Sequence, residues 1–366
     1  MTNIHANTKL PKIVVKNSHK VAGMVSVRGL TELNEESLSP FAVKSRLSKG
    51  RLKEEAPCPI RTAFARDRDR ILYSNSFRRL KHKTQVFVAP LDDHYVTRLT
   101  HTLEVAQVAR TISRALLLND DLTEAIALGH DLGHTPFGHV GEEVLNELYQ
   151  GGFRHNEQSL RVVDLLENNG RGLNLTWEVR DGILHHSKGR GEILGERWEP
   201  VGTLEGEVVR LADMVAYINH DIDDAIRASV ITDRDLPSRA IKVVGSSRSE
   251  RISAMVGDVI RCSWSVRGEN GAVAKPRILM GTEVAQATCV LRGFLFERVY
   301  NTQLAQKEVV MAKGVICKLY RYYNEHEECL PPEYRFGQDK VARRVIDYVS
   351  GMTDQYAIKL VGEITD

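Results

Sequence analysis

Read for spacing alone, the chain changes character near Arg61. Before it, residues 1–50 alternate short apolar pairs with polar breaks and read as an extended arm. Beyond it the apolar positions recur at helical steps. Leu99, Leu103, Ala106, Ala109, Ile112 and Leu116 define one apolar stripe at three- and four-residue intervals. A second helix is predicted over about Leu122 to Asp131, with Asp121 and Glu124 as a capping pair and Gly133 as its stop. Thr135-Pro136 then turns the chain into a third helix near Gly138 to Tyr149. Further helices are expected at Glu157 to Asn168, Trp177 to His185, Glu205 to Ala228, Val309 to Tyr323 and Lys340 to Ser350. Short strands are expected near Met24 to Val27, Ile241 to Val244 and Ala272 to Met280. The pattern is mainly α with a minor β element. It divides into the arm (1–50), a helical core (51–230) and a mostly helical C-terminal part (231–366).

Composition narrows the class. The balance of 50 basic and 48 acidic side chains, a formal charge of +2, gives no overall reason to expect nucleic acid or membrane as partner. Any anion site must be local. Five cysteines without a CxxC pair (Cys58, Cys262, Cys289, Cys317, Cys329) argue against a disulfide framework or a thiolate zinc site. The absence of a signal-like start and of a spanning apolar run points to a cytoplasmic chain.

The chemistry is concentrated between His101 and Asp221. His130 and Asp131 are adjacent at a predicted helix end, where neighbouring side chains can converge on one ion. With His101 before them and Asp213 after, they offer two imidazoles and two carboxylates. Such a mixed nitrogen–oxygen set suits Mn²⁺, Mg²⁺, Fe²⁺, Co²⁺ or Ni²⁺. A lone histidine is usually structural, but HDLGHTPFGH places three histidines and an aspartate in one short stretch.

Helical spacing puts His139 and Glu142 on one face, so that a carboxylate can aim a general acid. Asp213, Tyr217 and Asp221 follow one another at four-residue steps and form one stripe. The basic run Arg66 to Lys83 reads on its own as a solvated helix face. Arg98, one turn before His101, is better placed to grip phosphate. No P-loop is present, so phosphate handling falls to side chains and metal.

LSPFAVKS, RDRDRILYSNSFRRLKHKTQVF, TRLTHTLEV, HDLGHTPFGHVGE, GGFRHN, LADMVAYINHDIDDA and DYVSGMTDQYA together carry a resemblance. They look like the corresponding stretches of deoxyguanosine triphosphate triphosphohydrolase-like proteins of the HD metallophosphohydrolase superfamily. The similarity runs from about Leu38 to Ala357. It implies an HD-domain helical bundle that hydrolyses deoxynucleoside triphosphates to deoxynucleoside and tripolyphosphate.

The resemblance further implies metal ligation by His101, His130, Asp131 and Asp213, and a catalytic pair in His139 and Glu142. His134, His155 and Arg98 would surround the triphosphate, and Gln85, Tyr217 and Asp221 would face the deoxyribose. A homo-oligomer is the expectation, and an activating nucleotide is left open. The region from about Ile231 to Gly293 matches the family pattern poorly. Other readings are a different HD phosphohydrolase, a nucleic-acid-binding nuclease using the Arg66 to Lys83 run, and an HD fold kept for nucleotide sensing.

Overall fold

Most of the long helices begin where the sequence supplies a cap. The hydroxyl of Thr62 accepts from the Ala65 amide, and that of Thr203 accepts from the Gly206 amide. Thr97 with Thr100 and Ser247 with Glu250 form reciprocal capping boxes. The computed structural model describes residues 26–85, 95–187, 200–269, 276–300, 303–335 and 337–364, with the side chains of 303–308 left aside.

Five helices build the centre: Ala63–Leu72, Arg98–Ala115, Asp120–Gly129, Trp177–His185 and Leu204–Arg227. Asp120–Gly129 lies between the others, with Ala125, Ile126, Ala127 and Leu128 all buried. Close approach is essential there. A side chain at Gly182 would overlap Ile126, and one at Gly129 would overlap Ile183. The helices Ser238–Val244, Arg248–Cys262 and Thr282–Leu295 extend this apolar cluster. A second cluster joins Phe137, Val144, Leu145 and Phe153 to Ala312, Ile316, Leu319, Val345, Ile346 and Val349. The helix Gly138–Leu148 thus binds the C-terminal helices Gln303–Glu325 and Val341–Ser350 to the centre.

Several expectations are corrected. Among the described residues there is no strand, only the isolated bridges Arg51–Thr176 and Thr84–Thr97. Val27 opens the helix Val27–Asn34, capped by Ser26, while Met24 and Val25 lie outside the described residues. Ile241 to Val244 belongs to the helix Ser238–Val244, whose buried Ala240 and Val244 lie one turn apart. Of the third segment, 272–275 lies outside the described residues. In the remainder the amides of Ile278 and Leu279 donate to the side chains of Glu207 and Ser263, so no ladder forms.

Nor is the stretch 26–50 an extended arm. It is docked on the core, with the Ser39 amide on Leu117 O (2.8 Å) and the Val43 amide on Glu205 Oε1 (3.0 Å). The cap of the central helix is Asn119, whose side chain accepts from Leu122. Asp121 and Glu124 instead hold Arg68.

The predicted stripe on Arg98–Ala115 packs inward at Leu99, Ala106, Ala109 and Ile112, continues to the buried Leu116, and departs at Leu103. Leu103 is 49% exposed, whereas Arg98, His101, Thr102 and Val105 face inward. The polar residues of the site, not the leucines alone, set how this helix is turned. The basic run is a solvated face only in part, at Arg78, Lys81 and His82. Arg68 pairs with Asp121 and Glu124, Arg70 pairs with Glu55, and Lys83 is buried.

Candidate active site

His130 stands at the C-cap of Asp120–Gly129, and Asp131 follows it where the chain leaves the helix. His130 Nδ1 lies 2.6 Å from the Ala127 carbonyl, which can only accept, so that nitrogen carries the proton. In the neutral ring, the form that binds a metal, Nε2 is then the lone pair. It is buried and has no hydrogen-bond partner.

That lone pair faces company. His130 Nε2 lies 3.5 Å from Asp131 Oδ1, and His101 Nε2 lies 3.7 Å from Asp131 Oδ2 and 3.3 Å from Asp213 Oδ1. Donor atoms on metal bonds of about 2 Å stand about 3–4 Å apart, so His101, His130 and Asp131 are placed to share one divalent ion, with Asp213 next to them against His101. His101, His130 and Asp131 are each at most 3% exposed. The residues come from three helices, and Asp213 shares its helix Leu204–Arg227 with Tyr217 and Asp221.

Arg98 lies beside this cluster. Its Nη1 donates to Asp131 Oδ2 at 2.9 Å and its Nε donates to Thr84 O at 3.2 Å, while Nη2 is buried without a partner. Asp131 keeps its charge. Burial would raise its carboxyl, but His130 and Arg98 hold it well below the usual carboxylate range.

The turn between Asp131 and Gly138 brings in the other histidines. Gly133 cannot carry a side chain, because one would overlap the backbone of Gln158 and Ser159. That contact draws the helix His155–Arg161 against the turn and sets His134 on His155, ring centroids 4.7 Å apart. Phe137 adopts a left-handed conformation (φ 61°), costly for a side chain of this size. Asp354 secures it, accepting from the Phe137 amide at 3.0 Å and from the Thr84 amide at 2.9 Å. Lys83 Nζ donates to the carbonyls of His134 and Ser350. Burial pushes the Lys83 amine down to about 7. Gly138 (φ 58°) starts the next helix hard against Arg98 and the Gln85 carbonyl.

The expected pair of His139 and Glu142 is present but loose. Their atoms are 3.8 Å apart, and the His139 side chain is 80% exposed. Glu142 is held instead by His155, whose Nδ1 lies 2.9 and 3.0 Å from its two oxygens. Burial opposes charge on both partners, yet attraction wins. Glu142 is held far below its usual range and His155 is raised, giving a carboxylate–imidazolium pair. His134 stays neutral, lowered by burial and by Arg98.

Gln85 is buried with an unpartnered Oε1. Tyr217 is half-buried, and burial raises its hydroxyl above the ordinary range. Asp221, only 3% exposed, is already engaged. Its Oδ2 accepts from the Tyr300 hydroxyl, and its Oδ1 lies 2.8 Å from His220 Nδ1.

Sequence reasoning missed three contributors. His186 packs on His130 (centroids 4.9 Å apart), and its Nε2 lies 3.2 Å from His155 Nε2. Burial, with His130 and His155 nearby, pushes its imidazole down to about 3. His220 touches His101, and Tyr300 touches Asp221. The available signals were the doublet at 185–186 and the second HD pair at 220–221.

Comparison with known proteins agrees with this geometry. The HD domain matches residues 98–218, and the Phosphohydrolase-associated domain matches residues 278–363. A helical core that gathers His101, His130, Asp131 and Asp213 in that span defines an HD-domain phosphohydrolase.

A deoxyguanosinetriphosphate triphosphohydrolase-like protein of Caldanaerobacter subterraneus subsp. tengcongensis is 54% identical over 346 residues, covering 93% of this chain and 96% of that protein. Proteins of the same description from Desulfatibacillum aliphaticivorans and Geobacter sulfurreducens are 51% and 39% identical, covering 88% and 92% of this chain and 92% and 97% of theirs. The chain belongs to the deoxyguanosinetriphosphate triphosphohydrolase-like family. No helix among the described residues is long and apolar enough to cross a membrane.

Proposed function

We propose that this protein hydrolyses deoxynucleoside triphosphates at the α-phosphorus, releasing a deoxynucleoside and tripolyphosphate. One observation carries the reading. The lone pair of His130 Nε2 and the free N–H groups of Arg98 Nη2 are buried and unpartnered in one cluster. A buried acceptor and a buried donor left open side by side call for a cation and an anion together. A metal with a phosphate chain is such a pair, and the similarity to deoxyguanosinetriphosphate triphosphohydrolase-like proteins favours a deoxynucleotide.

In this scheme His101, His130, Asp131 and Asp213 hold a divalent ion: Mn²⁺, Mg²⁺, Fe²⁺, Co²⁺ or Ni²⁺. When bound, such an ion supplies a water ionised near neutral pH and draws charge from the phosphate oxygens. Arg98 offers Nη2 to a phosphate oxygen while Nη1 stays on Asp131. The charged His155 and the neutral His134 line the same pocket. His139, at its mouth, protonates the departing 5′-oxygen, and Glu142 keeps that face of the pocket acidic.

Sugar selection falls chiefly to Tyr217. Both oxygens of Asp221 already have neighbours, so a 3′-hydroxyl would use their remaining lone pairs. The Tyr217 ring stands one turn beyond Asp213, and a 2′-hydroxyl would collide with it. Rates on dGTP against GTP, and dATP against ATP, test this. Wild type should prefer the deoxy forms, and Tyr217→Ala should raise relative activity on the ribonucleotides. Equal hydrolysis of ribo and deoxy forms by wild type would sink the sugar-pocket assignment.

A further inference from the structure

The ligand His101 has two ring nitrogens, and only one of them faces the acids. Its Nε2 points to Asp213 and Asp131, while its Nδ1 lies 2.9 Å from Nε2 of His220. We propose that His220 is a positioning residue that fixes His101 in the tautomer and orientation needed to bind the metal.

To coordinate through Nε2, His101 must carry its proton on Nδ1. The nearest group able to receive that N–H is His220 Nε2, which must then be a lone pair. The proton of a neutral His220 is thereby placed on Nδ1. That nitrogen lies 2.8 Å from Asp221 Oδ1, and neither atom has a hydrogen bond to any other group. The contact is too bent for an in-line hydrogen bond. The carboxylate charge still favours an N–H facing it over a lone pair facing it.

Behind Asp221, the Tyr300 hydroxyl donates to Oδ2. Tyr300 closes the π-helical turn Phe296–Tyr300, inside the span matched by the Phosphohydrolase-associated domain. The chain of contacts Tyr300–Asp221–His220–His101 therefore runs from that region to the metal ligands.

Burial makes the arrangement specific. His101, His220 and Asp221 are 2%, 0% and 3% exposed, so water is a poor substitute for any partner in the chain. His220 also shares its helix with Asp213, two turns away. One rigid element thus provides a ligand and the support of another. Partners of this kind typically change metal affinity by about 10–100-fold when removed. No role for His220 follows from the substrate-binding scheme.

The inference rests on the metal-centre part of the proposed function, and its test separates the two. Mn²⁺ affinity is measured by EPR on wild type, His220→Leu and His220→Gln, with the visible spectrum of the Co²⁺-loaded proteins alongside. Leucine fills the space but cannot accept from His101, so Mn²⁺ should bind about 10–100-fold more weakly with an altered Co²⁺ spectrum. Glutamine can accept from His101 and donate to Asp221, so it should restore affinity close to wild type. Wild-type affinity and spectrum in folded His220→Leu would overturn the proposal.

A second measurement does not depend on that variant folding. Nitrogen-15 NMR of the Zn²⁺-loaded wild-type imidazoles should find His220 protonated on Nδ1, and protonation on Nε2 alone would equally overturn it. Failure of wild type to bind Mn²⁺ would remove the metal centre itself, and the proposal with it.

Discussion

His130→Ala is expected to lose bound metal and turnover together while the helical fold persists. The expectation follows from the few polar contacts this side chain makes within the protein. Its Nδ1 bonds a carbonyl of its own helix, and its Nε2 bonds nothing. Losing the one internal hydrogen bond costs about 0.5–1.5 kcal/mol, and the lost packing on His101 and His186 adds about 0.5–3 kcal/mol. A domain stable by about 5–15 kcal/mol survives that.

Turnover should fall by at least about 10³-fold, because water ionised near neutral pH is no longer on hand. Asp131→Ala should also lose the metal but at greater structural cost. It strands the guanidinium of Arg98, and breaking a buried ion pair costs about 3–5 kcal/mol. Metal content by plasma mass spectrometry, with circular dichroism on the same samples, checks both variants. Wild-type metal stoichiometry in His130→Ala or Asp131→Ala would remove these residues from the ligand set.

His139→Ala is expected to lower turnover by about 10²–10⁴-fold, the usual worth of a general acid, with metal content unchanged. The side chain is 80% exposed, so its removal leaves no cavity and little lost packing. It lies on a helix whose start is fixed by Phe137 and Asp354, not by the imidazole itself. The distance of 3.8 Å to Glu142 Oε2 shows that the carboxylate does not grip it in the free protein. Catalytic groups often tighten only when substrate binds. Steady-state rates on a deoxynucleoside triphosphate, taken with metal content, separate this variant from the ligand variants. An unchanged rate would exclude His139 from proton transfer and move attention to His155.

Much of this was legible before the structure, and the exceptions have physical causes. Trp177–His185 has the boundaries that its spacing predicts, with Val179 and Ile183 buried one turn apart on its inner face. The predicted strands failed because a short run of β-branched residues fits a buried helix equally well. Ile241 to Val244 took the helical option against Thr282–Leu295. Leu103 departs for a different reason: spacing counts only apolar residues, while this end of the helix buries Arg98, His101 and Thr102.

In the site, His130 and Asp131 were readable because adjacency in sequence puts them at one helix end. The partner of His101 was not, since His220 lies 119 positions away and meets it only through helix packing. Likewise the stretch containing Asp354 carried family resemblance, but its task of holding the Phe137 turn appears only in three dimensions.

The bond that is cut separates the proposed reaction from every other phosphohydrolase reaction, and the products reveal it. Purified protein is incubated with each of the four dNTPs, singly and mixed, in Mn²⁺ or Mg²⁺. Products are then resolved by phosphorus-31 NMR and anion-exchange chromatography. The account predicts deoxynucleoside and intact tripolyphosphate in equal amounts, with no mono- or diphosphate intermediate. Orthophosphate with a deoxynucleoside diphosphate, or pyrophosphate with a deoxynucleoside monophosphate, would contradict it.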